Sequence, residues 1–218
     1  MGRFNRTVAL TAPRDGARRD DRLILVVSED TYAPAQYFEL VRANRVRVEV
    51  APAGAGQSSP QAVLEGARIL RKQKPFSEYD ECWLLMDTDH WFSLNHRENT
   101  MRTISEARAE GFRVALSNPC FELWLLLHHE DISPTQPFED CKSVEKQLKV
   151  LLGGYNKGNV RTRPFAVENA LAAISRGKQL TPDTDAFPIA NPGTQVWRLT
   201  EVALTDEIRR RALPAQGA

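Results

Sequence analysis

Two aspartates one residue apart, Asp87 and Asp89, close the stretch "CWLLMDTD" (82–89), and a glutamate, Glu29, follows the apolar run in "LILVVSED" (23–30). Both runs read as strands, so each acid stands where a buried strand gives way to a loop. Carboxylates brought together repel, and the repulsion is offset by a bound cation or by protonation. Magnesium, or manganese in its place, suits the pattern. It takes oxygen ligands, keeps several waters, and is usually held by one or two carboxylates plus substrate phosphates. The competing role for such acids is a helix cap or turn, which either motif alone fits equally well. Two motifs at corresponding strand ends favour the metal.

A third acid lies in "SNPCFELWLLLHHE" (117–130). Asn118 is expected to cap and Pro119 to start a helix that is apolar almost all round, with Glu122 inside it. Glu122 stands one residue too far from Asn118 for a capping box. A carboxylate among Phe121, Leu123, Trp124 and Leu126 needs a cation or hydrogen bonds. A structural salt bridge and a metal or substrate contact serve it equally well. For substrate phosphates the candidates are Lys157, Arg161 and Arg163 in the glycine-rich "GGYNKGNVRTRP", and Ser117 and Asn118 at a strand end, where capping competes. His90, next to the aspartate pair, is a candidate for substrate binding, and Trp91 for base stacking.

His128 and His129 are adjacent and so point in different directions, unlike the i, i+4 pair of a zinc helix, and there is no CxxC. Zinc is therefore not expected. Cys82, Cys120 and Cys141 are odd in number and widely spaced, which predicts reduced buried thiols in a cytoplasmic protein.

The elements that must position these residues are legible. Apolar runs at 23–27, 46–50, 82–86 and 112–116 predict strands, and helical spacing predicts helices after each of the first three, the second opening at Ser59 and Pro60. Alternation of this kind implies right-handed crossovers and a mainly parallel α/β sheet with helices on both faces. Acids at the carboxyl ends of its strands then share one edge. Residues 1–21, arginine- and aspartate-rich, read as a flexible arm, 22–130 as the α/β core, and 131–218 as a C-terminal helical region packing on it. The longest apolar run, Leu123 to Leu127, is too short to cross a bilayer. With 218 residues and a net charge of +1, any nucleic-acid partner would be met by local clusters rather than by overall charge.

A strand ending in Glu29, a parallel strand ending in Asp87 and Asp89, and "SNPCFELWLLLHH" together resemble the RloB-like family of prokaryotic proteins, whose core is similar to a Toprim domain. Tyr37 and Phe38, "YDECWLLMDTD" and "NPGTQVWRLTE" extend the resemblance from about Arg22 to Glu201. It implies magnesium-dependent phosphodiester chemistry, with Glu29 as general acid/base, Asp87 and Asp89 as metal ligands and Glu122 as a further ligand. It also implies a role in phage defence, with nucleic acid and a partner defence protein as the expected partners. The chain departs from the family pattern at Asp30, Ala33 and Pro34, where a glycine and a Thr-Glu pair are common, and this weighs against two metals. Two other classes compete: a nucleotide-sugar transferase using the Asp87–Asp89 pair, and a non-catalytic or sensor module that binds metal and nucleic acid or a partner.

Overall fold

Short apolar runs become strands covered on both faces because alternate side chains enter different cores. In a computed structural model of the chain, residues 22–206 and 208 are described, apart from 31, 42, 44, 54–58, 89–95 and 163–164, with backbone alone at 161 and 162. Strands β1 (Arg22–Ser28), β2 (Val46–Pro52), β3 (Glu81–Asp87) and β4 (Arg113–Asn118) are parallel, and β5 (Gly193–Thr194) adds antiparallel to β4. The order is β2-β1-β3-β4-β5. The chain leaves β1 outward to β2 and then returns past β1 to β3, so the topological switch point falls between the carboxyl ends of β1 and β3.

On one face Ile24, Val26, Trp83, Leu85 and Ala115 pack with α1 (Ala33–Leu40), α4 (Glu122–Leu126), α5 (Cys141–Leu152), α6 (Val167–Leu180) and α7 (Val196–Ala203). On the other, Leu25, Val27, Leu84, Met86, Val114 and Leu116 meet α2 (Pro60–Gln73) and α3 (Arg97–Ala109). Each fully buried Leu or Val contributes roughly 1.5–3 kcal/mol of transfer free energy. Val144, Leu148, Ala170 and Leu199, from the expected C-terminal region, belong to the same buried cluster as β1 and β3. The arm at 1–21 lies outside the described residues.

Helix ends follow local chemistry. Ser59 Oγ accepts from Ala62 N at 3.2 Å, with Pro60 in the first turn of α2. α3 stops where Gly111 takes φ +81° and Phe112 N returns to Ala107 O.

Two expectations are corrected, and one element was not foreseen. Asn118 does not cap and Pro119 does not open a helix: β4 runs on to Asn118, which pairs with Gly193 of β5, and α4 begins only at Glu122. The backbone at Asn118 is held in the sheet by β5, and Gly193 lets the chain pass close to Ala190, since a Cβ there would stand 2.5 Å from Ala190 O. The strand β5 itself was not expected, being two residues long. Finally, Cys120 and Cys141 are joined as a disulfide rather than being reduced thiols. Packing of α5 on the β4–α4 turn brings together cysteines that are 21 residues apart in the chain. Cys82 is a free buried thiol whose pKa burial pushes up to about 12, so it is inert as a nucleophile.

Candidate active site

Glu29 and Asp87 meet at the switch point. Glu29 Oε1 accepts the backbone N–H of Asp87 at 2.7 Å, and the sheet register sets Ser28 beside Leu85. Burial, then the nearby Glu29 carboxylate, holds the Asp87 carboxyl well above the usual range. Glu122 and Asp30 add to the shift and Lys157 opposes it.

Asp30, next along from Glu29, turns the chain into α1: its Oδ1 accepts from Tyr32 N at 2.8 Å and from Ala33 N at 3.3 Å. Its other oxygen, Oδ2, is buried without a hydrogen-bond partner and faces Lys157 Nζ at 3.5 Å. Lys157 Nζ also lies 3.1 Å from Glu122 Oε1, which receives the Tyr155 hydroxyl at 3.0 Å. Glu122 is fully buried, and burial raises its pKa against the opposing pull of Lys157. Burial also disfavours the Lys157 ammonium, yet Glu122, Asp30 and Asp87 together hold its pKa above the ordinary lysine range. Burial and the Glu122 charge raise the Tyr155 phenol too, so it stays a donor.

Lys157 reaches this edge because its loop is docked on α1. Gln36 Nε2 donates to Lys157 O at 3.0 Å, and Gln36 Oε1 accepts from Val160 N at 2.9 Å. The result is an acidic edge in which Lys157 pairs with Asp30 and Glu122 while Glu29 and Asp87 lie next to each other. Such an arrangement can hold a cation or a proton and can position a proton acceptor.

The other sequence candidates are distributed differently. Ser117 is buried, with its hydroxyl 2.9 Å from that of Thr194, and Asn118 Nδ2 donates to Ile189 O at 3.0 Å, so both hold β5 and the loop before it. Arg161 lies in the 3-10 turn Lys157–Thr162 with its side chain outside the description. Asp89, His90, Trp91 and Arg163 fall outside the described residues. His128 is a core residue. Its Nδ1 lies 2.9 Å from Trp124 O and its Nε2 3.1 Å from Tyr37 Oη, and burial pushes its pKa down to about 3.

Sequence reasoning missed Gln36 and Tyr155. It read Lys157 as a phosphate ligand and did not foresee its pairing with Asp30 and Glu122. The one signal for Tyr155 was its place two residues before Lys157 in the glycine-rich loop. Cys120, Glu122 and Cys141 form a further cluster, with donor atoms all within 4.8 Å of one another. No described helix is long and apolar enough to cross a membrane.

Among solved structures the chain is similar to a de novo designed Rossmann fold protein at 16% identity. The match covers 44% of this chain and 83% of that one, with a TM-score of 0.30. No curated protein matches it. The model of the family described as RloB-like protein matches residues 24–202, a span that takes in Glu29, Asp87, Glu122 and Lys157. The chain therefore belongs to the RloB-like family.

Proposed function

We propose that this chain is a magnesium- or manganese-dependent phosphodiester hydrolase of the Toprim type, acting on nucleic acid in the cytoplasm as part of prokaryotic phage defence. The observation that carries the reading is the meeting of Glu29 and Asp87 at the switch point of the sheet, where burial and then the Glu29 charge raise the Asp87 pKa. Asp30 and Glu122 share the Lys157 ammonium, and the Glu29 carboxylate lies against the Asp87 backbone. The donors at the edge are all oxygen, and Asp30 Oδ2 is buried without a hydrogen-bond partner. A hard divalent ion fits such a set better than a soft one.

Asp87, with Asp89, would hold the ion, and Glu122 would be a further ligand. When bound, the ion supplies Lewis-acid polarisation of a phosphoryl oxygen. Glu29, whose Oε1 accepts from the Asp87 backbone, would take a proton from water and return it to the leaving oxygen. Lys157 holds Asp30 and Glu122 in place. Arg161, Arg163 and His90 would meet the substrate backbone, with Ser117 and Asn118 holding the adjoining strand.

Glu29 favours hydrolysis over sugar transfer, since a transferase reading gives it no task. A binding or sensor module is the second reading, favoured by the lysine that already neutralises two of the acids. End-labelled DNA and RNA incubated with magnesium or manganese separate the readings. Hydrolysis predicts metal-dependent cleavage that falls at least about a hundredfold in Glu29→Gln. Nucleic-acid binding without turnover, unchanged in Asp87→Asn, would instead establish the module.

A further inference from the structure

Glu122 presents its two oxygens to different neighbourhoods. Oε1 faces Lys157 and Tyr155, whereas Oε2 lies 3.5 Å from Cys141 Sγ. Cys120 and Glu122 are buried, while Cys141, at the first position of α5, is half-buried and is the member of the group that solvent reaches. In the structure the two sulfurs are bonded to each other.

We infer that, once the disulfide is reduced, Cys120, Cys141 and Glu122 form a second metal site, for a thiophilic divalent ion of the zinc type. Donor type, distance and charge support it. Two thiolates and one carboxylate are the donors zinc accepts, and three protein ligands plus one solvent position is a standard zinc coordination set. With metal–sulfur bonds of about 2.3 Å and metal–oxygen bonds of about 2.0–2.2 Å, the donor–donor edges of a tetrahedron run to roughly 3.5 Å. Cys141 Sγ and Glu122 Oε2 already stand 3.5 Å apart, and all three donors fall within 4.8 Å of one another. Reduction lets the sulfurs part by side-chain rotation. Three negative ligands around a doubly charged cation leave one negative charge, and the Lys157 ammonium against the far oxygen of Glu122 offsets it. That a hard-ion edge and a soft-ion site share Glu122 gives the chain two metal positions that differ in chemistry.

The redox step balances as follows. A phosphine reductant gives two electrons to the Cys120–Cys141 bond and takes an oxygen from water to become its oxide, and the two water protons end on the sulfurs. Metal binding then displaces these thiol protons. Oxidation of the pair and metal binding exclude each other because each uses both sulfurs.

The experiment uses the full chain, reduced with a water-soluble phosphine, freed of excess reductant without air, and titrated with cobalt(II) as a spectroscopic stand-in for zinc. The expected result is one tightly held cobalt per chain with a near-ultraviolet thiolate-to-cobalt band and tetrahedral visible bands. Zinc should abolish both, and they should be lacking in the oxidised protein. Cys120→Ser and Cys141→Ser should lose the thiolate band, while Cys82→Ser keeps it. Circular dichroism checks that each variant is folded, and the wild-type comparison needs no variant. If thiol titration shows both cysteines free and no thiolate band forms at millimolar cobalt, the site is disproved. A band that persists in both serine variants would equally disprove it. The readout is sulfur ligation alone, so a chain without nuclease turnover leaves it standing, and a failed titration leaves the hydrolase reading untouched.

Discussion

The two ends of the sheet carry similar numbers of charged groups and use them in opposite ways. At the amino ends of β1, β3 and β4, Arg22 and Arg113 both pair with Glu81, and nearby Arg68 gathers Glu65, Glu106 and Glu110 from α2 and α3. There each acid has a guanidinium, and the groups are partly open to water. At the carboxyl ends, Asp30 and Glu122 share one lysine, Glu29 and Asp87 lie beside each other, and Glu122 is wholly buried. A cavity of about 510 Å³ lies at the amino end, lined by Arg22, Arg71, Phe76, Tyr79 and Arg113 among others, where the charges are already matched. Unbalanced buried charge points to function more directly than space does.

The comparison can be broken most sharply at Asp87. Asp87→Asn should lower metal-dependent cleavage on the order of a thousandfold, read as initial rate on labelled substrate. The same substitution should leave the fold as stable as the wild type or more so in metal-free buffer, because it removes a repelling charge while the backbone N–H to Glu29 remains. Loss of stability comparable to the loss of activity would mean that the acid edge is structural.

Lys157→Met should come next. Removing one partner of a buried ion pair costs roughly 3–5 kcal/mol, and the 37% exposure of the lysine side chain reduces this to about 2 kcal/mol. Urea denaturation at neutral pH would read it. A cost near zero would show that Tyr155 and solvent suffice to hold Glu122.

Acid should act on the two ends with opposite signs. Asp87 has a raised folded-state pKa, so its ionisation penalises the fold above that value. The penalty is relieved as pH falls through it and is gone below about 3.9, the ordinary aspartate value. Glu110 has a lowered pKa, chiefly from its hydrogen bond to Arg68, so its contribution is present above about 4.3 and is lost as pH falls through the folded value. Stability curves from pH 7 downward should therefore converge for Asp87→Asn and wild type through relief of the wild-type penalty. For Glu110→Gln and wild type they should converge through loss of the wild-type gain. Parallel curves in either pair would contradict the assignment.

The smallest effect is expected at the amino end. Glu81→Gln keeps an acceptor for Trp83 Nε1, now 2.7 Å away, and removes only partly exposed ion pairs. It should cost about 1 kcal/mol or less and shrink further in salt. A larger cost would place a buried charge network where the comparison has none.

Much of this was legible in the sequence because it is local. Leu23 to Val27 and Cys82 to Met86 had to be strands covered on both faces, and Glu29 and Asp87 had to follow them to one edge. What escaped depends on tertiary contacts. Lys157 looks like a surface cation until Gln36, on a distant helix, fastens its loop. Two-residue β5 has no periodicity to detect, and its pairing keeps Asn118 in the sheet where local preference suggested a cap. Cys120 and Cys141 have no motif spacing, because the packing of α5 alone brings them together.

Lys157 also leaves the ribosome after all four of the acids Glu29, Asp30, Asp87 and Glu122. A nascent chain stopped within α5 already carries Glu29, Asp30, Asp87 and Glu122 but lacks the ammonium that offsets them and the loop that Gln36 catches. Translation thus schedules the acid edge: Asp30 and Glu122 gain their shared ammonium only when synthesis has passed the Tyr155–Lys157 turn, and only then can this end of the sheet close.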